Sequence, residues 1–158
     1  MKHALPLFLI FIATTMVSLA RPAKLSKDAE AYNEGTKLLK KLEFVAAEKK
    51  LREALAIKED FPEAPNNPAF VLRKQGAEKF ALALQHYNRA IDLNPKLAEA
   101  YMYRGALYIQ MGKPELAKTD HATLASLSTE MAKELEWVIK NGKEKEPEQF
   151  FGVTTVKK

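Results

Sequence analysis

The chain has 158 residues, 47% of them apolar and 28% charged, with a formal net charge of +5. That is enough for one packed domain and too apolar for a natively disordered chain. With no Cys, only six Gly and eight Pro, disulfide scaffolds, thiol catalysis, Cys-ligated zinc, Cys-linked lipid and collagen-like or low-complexity classes are excluded. Between Leu25 and Gly142 the only valines are Val45, Val71 and Val138, set in tracts of Ala, Leu, Lys and Glu, a composition that predicts an all-α fold.

Residues 1–20 read as a signal peptide. Lys2 and His3 precede an uncharged run from Ala4 to Val17, and Ser18-Leu19-Ala20 places small residues where a signal peptidase reads. The apolar run is about 15 residues, whereas a membrane span needs about 20, and Thr14-Thr15 interrupts it. Cleavage after Ala20 is expected, leaving a soluble, mildly basic protein in the periplasm or secreted, touching the membrane only transiently through its signal. Residues 21–27 read as a linker.

From Asp28 onward the spacing of small and aromatic residues repeats at close to 34. In the first copy, about 28–61, Gly35-x2-Leu38 is followed by Ala47-x3-Leu51 and Ala54. In the second, about 62–97, Ala69-x2-Leu72 is followed by Ala83-x3-Tyr87, Ala90 and an Asn94-Pro95 stop, with two extra residues near Ala77-Glu78. In the third, about 98–128, Tyr101-x2-Arg104-Gly105-x2-Tyr108 is followed by Gly112 and then Ala117-x3-His121. Each copy reads as two antiparallel helices. Gly35, Ala69 and Gly105 would let the backbones approach, and Ala47, Ala83 and Ala117 would supply the opposing small surface. Leu38, Phe44, Leu51 and Leu55, then Leu72, Phe80, Tyr87 and Ile91, then Tyr108, Leu116 and Leu124 are the expected fillers.

Pro65 and Pro68 resist lying within one helix, so the first helix of copy two is expected to start near Pro68 with Asn67 as its N-cap. The alternative is a start at Pro65. Each pair leaves apolar surface that only a neighbour covers, and the last face needs a cap. Residues 129–141 supply it: Ser128 is the N-cap, Met131, Leu135 and Val138 recur at helical spacing, and Asn141-Gly142 ends the helix. Seven helices are expected, spanning a domain over 28–142. Residues 143–158 read as a flexible tail with a charged start and a Phe150-Phe151-Gly152-Val153 cluster.

Enzyme motifs are missing from this sequence. His86 and His121 have no second His four residues away, Asp120 and His121 point to different sides of a helix, and no phosphate loop, dinucleotide fingerprint or G-x-S-x-G occurs. A non-catalytic protein without cofactor or metal is expected, with His121 in a packing role. Lys37, Lys40, Lys41, Lys49, Lys50 and Arg52 read as a solvated face, the alternative being attraction to anionic lipid headgroups or an acidic partner, and nucleic acid is not an expected partner for an exported chain.

Over about Asp28 to Ser128 the chain resembles the tetratricopeptide repeat family, whose pattern is an aromatic, Leu-Gly, an aromatic, then Ala, an aromatic, Ala and a closing Pro. It departs at Ala31 and Pro65 for the leading aromatic, at Glu34, Pro68 and Arg104 for Leu, and at Glu59 for the closing Pro. The resemblance implies a right-handed α-solenoid of three helix pairs plus the capping helix. It also implies a protein or peptide partner held in a concave groove.

The lining implied by resemblance is Tyr32, Asn33, Thr36 and Lys40 from copy one, Asn67, Phe70 and Lys74 from copy two, and Met102, Tyr103, Ala106 and Gln110 from copy three. Asn33 and Asn67 hold corresponding places, and a primary amide suits a peptide backbone because it both donates and accepts. Family members that capture a C-terminal carboxylate carry Lys and Asn in copy one, Asn in copy two, and Lys and Arg in copy three. Here only Asn67 matches, with Tyr32, Thr36, Glu99 and Tyr103 at the other positions. The alternative reading is a structural subunit of an envelope assembly that uses convex or terminal surfaces and the tail.

Overall fold

The computed structural model describes residues 24–57 and 66–145. The signal peptide, most of the linker, Glu59, Pro65 and the Phe150-Phe151 cluster lie outside the described residues. Within them the chain forms α1 (Lys27–Lys40), α2 (Phe44–Ile57), α3 (Asn66–Gln75), a 3-10 turn (Ala77–Lys79), α4 (Phe80–Leu93), α5 (Ala98–Gln110), α6 (Pro114–Leu127) and α7 (Thr129–Asn141). The helices pack as α1 with α2, α3 with α4 and α5 with α6, each pair resting on the next, and α7 closes the stack against α5 and α6.

The turn inside each pair reverses the chain through a residue at positive φ. In copy three this is Gly112 (φ 68°), with the Gly112 amide donating to Ile109 O at 3.0 Å and the Lys113 amide donating to Tyr108 O at 2.8 Å. Copy one repeats the geometry, with the Leu42 and Glu43 amides donating to Leu39 O and Leu38 O. These are paired C-terminal caps that satisfy carbonyls the helix leaves open. In copy one, however, the left-handed position is held by a leucine (φ 64°) whose side chain packs little, being 54% exposed. The two-residue insertion of copy two forms the 3-10 turn after Gly76 (φ 130°).

Joints between pairs are fixed by side chains. Asn94 Oδ1 accepts from the Lys96 amide, and the Tyr101 hydroxyl donates to Pro95 O at 3.1 Å, tying the start of α5 to the loop before it. Ser128 Oγ accepts from the Met131 amide, and Gly142 (φ 72°) ends α7, as its sequence position leads one to expect.

Ala47, Ala83 and Ala117 are fully buried, as are Leu51, Leu72, Tyr87 and Leu124, while Leu38, Phe44, Leu55, Phe80 and Ile91 pack against that core from its edge. Leu116 departs from expectation. It lies in the first turn of α6 and is 45% exposed, because the buried stripe of that helix runs through Ala117, Asp120 and Leu124. The small-residue contacts also differ in detail. A Cβ on Gly35 would meet Leu51 Cγ at 2.7 Å and the Leu51 amide nitrogen at 3.1 Å, within its own pair. On Gly105 it would meet Leu135 Cδ2 at 2.5 Å, so that glycine makes room for the capping helix.

The first helix of copy two already includes Asn66 and Asn67, so Asn67 is not its N-cap; the alternative start at Pro65 lies outside the described residues. Pro68 sits in the first turn, where the amide it lacks would have no intrahelical partner. Asn67 is inside the helix and serves another purpose, described below.

Arg104, where the family pattern has Leu, is a structural cross-link. Its Nε and Nη2 donate to the Asp120 carboxylate at 3.0 and 2.6 Å, its Nη1 donates to Asn88 Oδ1, and the guanidinium lies 5.5 and 5.8 Å from the Tyr101 and Tyr108 ring centroids. One side chain thereby joins α4, α5 and α6. His121, beside Asp120, is half-buried.

Two stability outcomes follow from this packing. Leu42→Gly should raise stability by about 0.5–1 kcal/mol in urea unfolding, because relief of about 1–2 kcal/mol of left-handed strain exceeds the roughly 0.5–1 kcal/mol entropic cost of Gly; a lower midpoint would refute the strain. Gly35→Ala should destabilise by about 1–3 kcal/mol despite the better helix propensity of Ala. Its contact is partly with backbone, whereas Gly105→Ala meets only side-chain atoms of Leu135 and should cost less in the same melt.

Candidate functional site

The first helices of the three pairs, α1, α3 and α5, share one face, and polar and aromatic side chains stitch it together. Asn67 Nδ2 on α3 donates to Thr36 Oγ1 on α1 at 3.1 Å, both residues fully buried. The Asn67 and Asn66 Oδ1 atoms are buried without a hydrogen-bond partner. One turn further along α3, the Phe70 ring meets the Tyr103 ring of α5 edge to face, with centroids 4.8 Å apart. The spacing i, i+3 brings Arg73 onto the same side, with its guanidinium 5.1 Å from the Phe70 centroid and 5.7 Å from that of Tyr103.

Arg73 is wholly buried and has an anionic partner. Its Nη1 and Nη2 donate to the two carboxylate oxygens of Glu144, each at 2.9 Å, and Lys74 Nζ donates to Glu144 Oε2 at 2.9 Å. Lys74 Nζ is also 5.6 Å from the Phe70 centroid. Glu144 reaches this point because Gly142 turns the chain out of α7. The next residue, Lys145, is held by Glu134 at 2.6 Å and lies over Trp137.

Burial would raise the Glu144 carboxyl, but Arg73 and Lys74 hold it down at about 2. Burial works equally against the Arg73 charge; the facing Tyr87 phenol and Glu144 outweigh it and raise the guanidinium above its ordinary value. The Tyr87 hydroxyl is near enough to feel that charge without hydrogen-bond geometry, and burial raises its own pKa. Arg73 and Glu144 form one buried ion pair beside the neutral Tyr87 phenol, in which a fork-shaped cation reads a carboxylate through both oxygens.

The residues assigned by resemblance divide in two. Tyr32, Thr36, Asn67, Phe70, Met102, Tyr103 and Ala106 are buried, so they form the floor and seams of the face rather than an open lining. Asn33 and Lys74 are half-buried, and Lys40 and Gln110 are exposed. Asn33 and Lys40 border a shallow cleft with Leu25, Glu34, Lys37 and Lys41. Asn67 does not present its amide to a ligand as expected, because its Nδ2 is spent on Thr36. Of the basic residues of copy one, Lys50 pairs with Glu53 and Arg52 with Glu48.

Sequence reasoning missed Arg73 and Glu144. The spacing Phe70-x2-Arg73 was a readable signal for the first, but nothing local marks the second. The tail boundary drawn at 143 also falls within this cluster: Glu144 and Lys145 are anchored, and the tail from 146 onward lies outside the described residues. Among the described residues, no three His, Asp or Glu side chains converge as a metal site would require, and no helix is long and apolar enough to cross a membrane.

Comparison with known proteins agrees with this geometry. The sequence pattern described as TPR repeat matches residues 77–112, the stretch from the 3-10 turn through α4 and α5. The first TPR of Spaghetti (RPAP3), solved bound to the HSP90 peptide SRMEEVD, is 26% identical and superposes with a TM-score of 0.64 over 72% of this chain and 91% of that one. The first TPR domain of human RPAP3 gives 26% identity and 0.64 over 73% of this chain and 91% of that one. The Arabidopsis OM64 TPR domain, 19% identical, shares the fold with a TM-score of 0.66 over 72% of this chain and 94% of its own. Among curated proteins, a UDP-N-acetylglucosamine–peptide N-acetylglucosaminyltransferase of Giardia intestinalis is 42% identical over 45 residues, 28% of this chain. The match spans only 3% of that relative's length. This chain thus carries a TPR repeat across the joint of its second and third pairs, and its seven described helices stack as in those TPR domains.

Proposed function

We propose that the protein is an exported, non-catalytic adaptor that holds an extended segment of a partner protein along the shared face of α1, α3 and α5. The observation that carries this reading is the peptide-bound neighbour, which is 26% identical and covers 72% of the chain. Protein binding is the coarse role that the fold supports; the face and the exported setting are our finer reading. Asn33, Lys40 and Gln110 supply backbone-compatible donors and acceptors along the rim. The peptide need not be a chaperone tail. Tyr32, Thr36, Glu99 and Tyr103 stand where a terminal-carboxylate clamp carries its Lys, Asn and Arg, and Thr36 and Tyr103 are buried. The 45-residue likeness to a glycosyltransferase falls short of any catalytic assignment, since repeats of this kind are shared as binding units.

A photo-reactive residue at position 33 should cross-link one discrete partner segment in extracts of the native envelope. The same group at position 45, 75% exposed on α2, should not. Asn33→Ala with Lys40→Ala should weaken that segment's binding by about 0.5–1.5 kcal/mol per lost hydrogen bond, read by calorimetry. Cross-links from position 45 alone would move the partner to the outer surface and overturn the reading. Asn67→Ala is unsuitable as a groove probe, because it strands the buried Thr36 hydroxyl and should itself lower the melting temperature.

The exported setting rests on residues 1–20. Sequencing of the mature N-terminus should begin at Arg21; full-length protein recovered from the cytoplasm would refute it.

A further inference from the structure

We infer that Arg73 and Lys74, backed by Phe70 and Tyr103, form a carboxylate-recognition pocket on the binding face, and that Glu144 fills it as an internal stand-in for an acidic side chain of the bound segment. This rests on the adaptor reading and names the ligand chemistry that reading leaves open.

The pocket has the chemistry of a receptor. Three N–H donors from two cations converge on one carboxylate at 2.9 Å. Below them, two aromatic faces hold the guanidinium and one also faces the Lys74 ammonium, so the donors are oriented by contacts independent of Glu144. The planar fork accepts a carboxylate edge-on and excludes neutral groups, which cannot satisfy a wholly buried cation.

Position supplies the second argument. Phe70, Lys74 and Tyr103 belong to the face on which a partner segment would lie, so a segment running along it meets Glu144. The third argument is the way Glu144 is held. Another bidentate pair, the part-buried Arg104 with Asp120, has both members on helices packed within one pair, so its partners are fixed by the pair itself. Glu144 instead comes from the short stretch after the Gly142 cap, while α7 itself is anchored by Leu135 against Gly105 and by the Ser128 cap. Glu144 can therefore be exchanged for an incoming carboxylate with the helix stack intact. An Asp or Glu side chain would enter and a neutral one would not.

The test uses the full chain and two probes. In Glu144→Ala, sodium acetate should raise the melting temperature above that in sodium chloride of equal ionic strength. It should do so neither in the wild type nor in Glu144→Ala with Arg73→Met. A labelled, capped peptide carrying residues 140–148 should bind Glu144→Gln at least tenfold more tightly than it binds the wild type. Its counterpart with Glu144, Glu146 and Glu148 replaced by Gln should bind neither. Equal action of acetate and chloride, or equal binding of the two peptides, would reduce the cluster to a structural tie and overturn the inference, even if cross-links from position 33 persist. Loss of those cross-links with the carboxylate selectivity intact would defeat the adaptor reading instead.

Discussion

The distance between helices is what the rest of this molecule is built around. Gly35 sits so close to Leu51 that one added methyl would fall within contact distance of a backbone nitrogen, and Gly105 makes comparable room for Leu135. Backbones this close leave no interior volume within a pair. The larger apolar side chains are driven to the flanks, where only the next pair can cover them. Stacking is therefore a consequence of the small residues, and α7 is needed because the third pair would otherwise expose the surface that its predecessors bury.

Close packing also governs which polar residues are tolerated inside. Arg104 occupies a position where the family pattern places Leu, and Arg73 lies fully buried beside aromatic rings. A buried guanidinium is costly unless its donors and its charge are both met, and breaking such a pair typically costs about 3–5 kcal/mol. Each arginine meets the demand with a carboxylate fork and two aromatic faces, yet the two solutions differ in origin. Asp120 is already on the neighbouring helix when the third pair forms. Glu144 is presented by the segment beyond the cap, which couples the end of the domain to the last turn of α3.

How much of this was legible depended on whether the cause was local. Gly112 and Gly142 announce their left-handed turns, Ser128 announces its cap, and Ala47, Ala83 and Ala117 mark the buried stripes by spacing alone. Leu42 shows the limit: its φ of 64° follows from the same capping bonds as Gly112, but no leucine in a sequence advertises that conformation. Asn67 was misread because an Asn before Pro is a good N-cap by local rules. Here the tertiary bond to Thr36 decides its role, and the helix extends past it to Asn66. Leu116 failed for the opposite reason, since the true stripe of α6 is offset by one residue through Ala117. Arg73 and Glu144 are 71 residues apart, and no periodicity or motif links them.

The burial of Tyr32, Thr36, Phe70, Met102 and Tyr103 changes what binding along this face entails. A ligand gains little from apolar side chains that the chain already covers. Its affinity must come from rim hydrogen bonds and from any charged group it can exchange for one of the protein's own. Exchange of like for like, carboxylate for carboxylate, leaves the buried Arg73 paired and avoids the penalty of a stranded cation. On the proposed reading such a face is selective more than it is tight: the internal Glu144 lowers the apparent affinity of any segment that must displace it, and a neutral segment that did so would leave Arg73 unpaired.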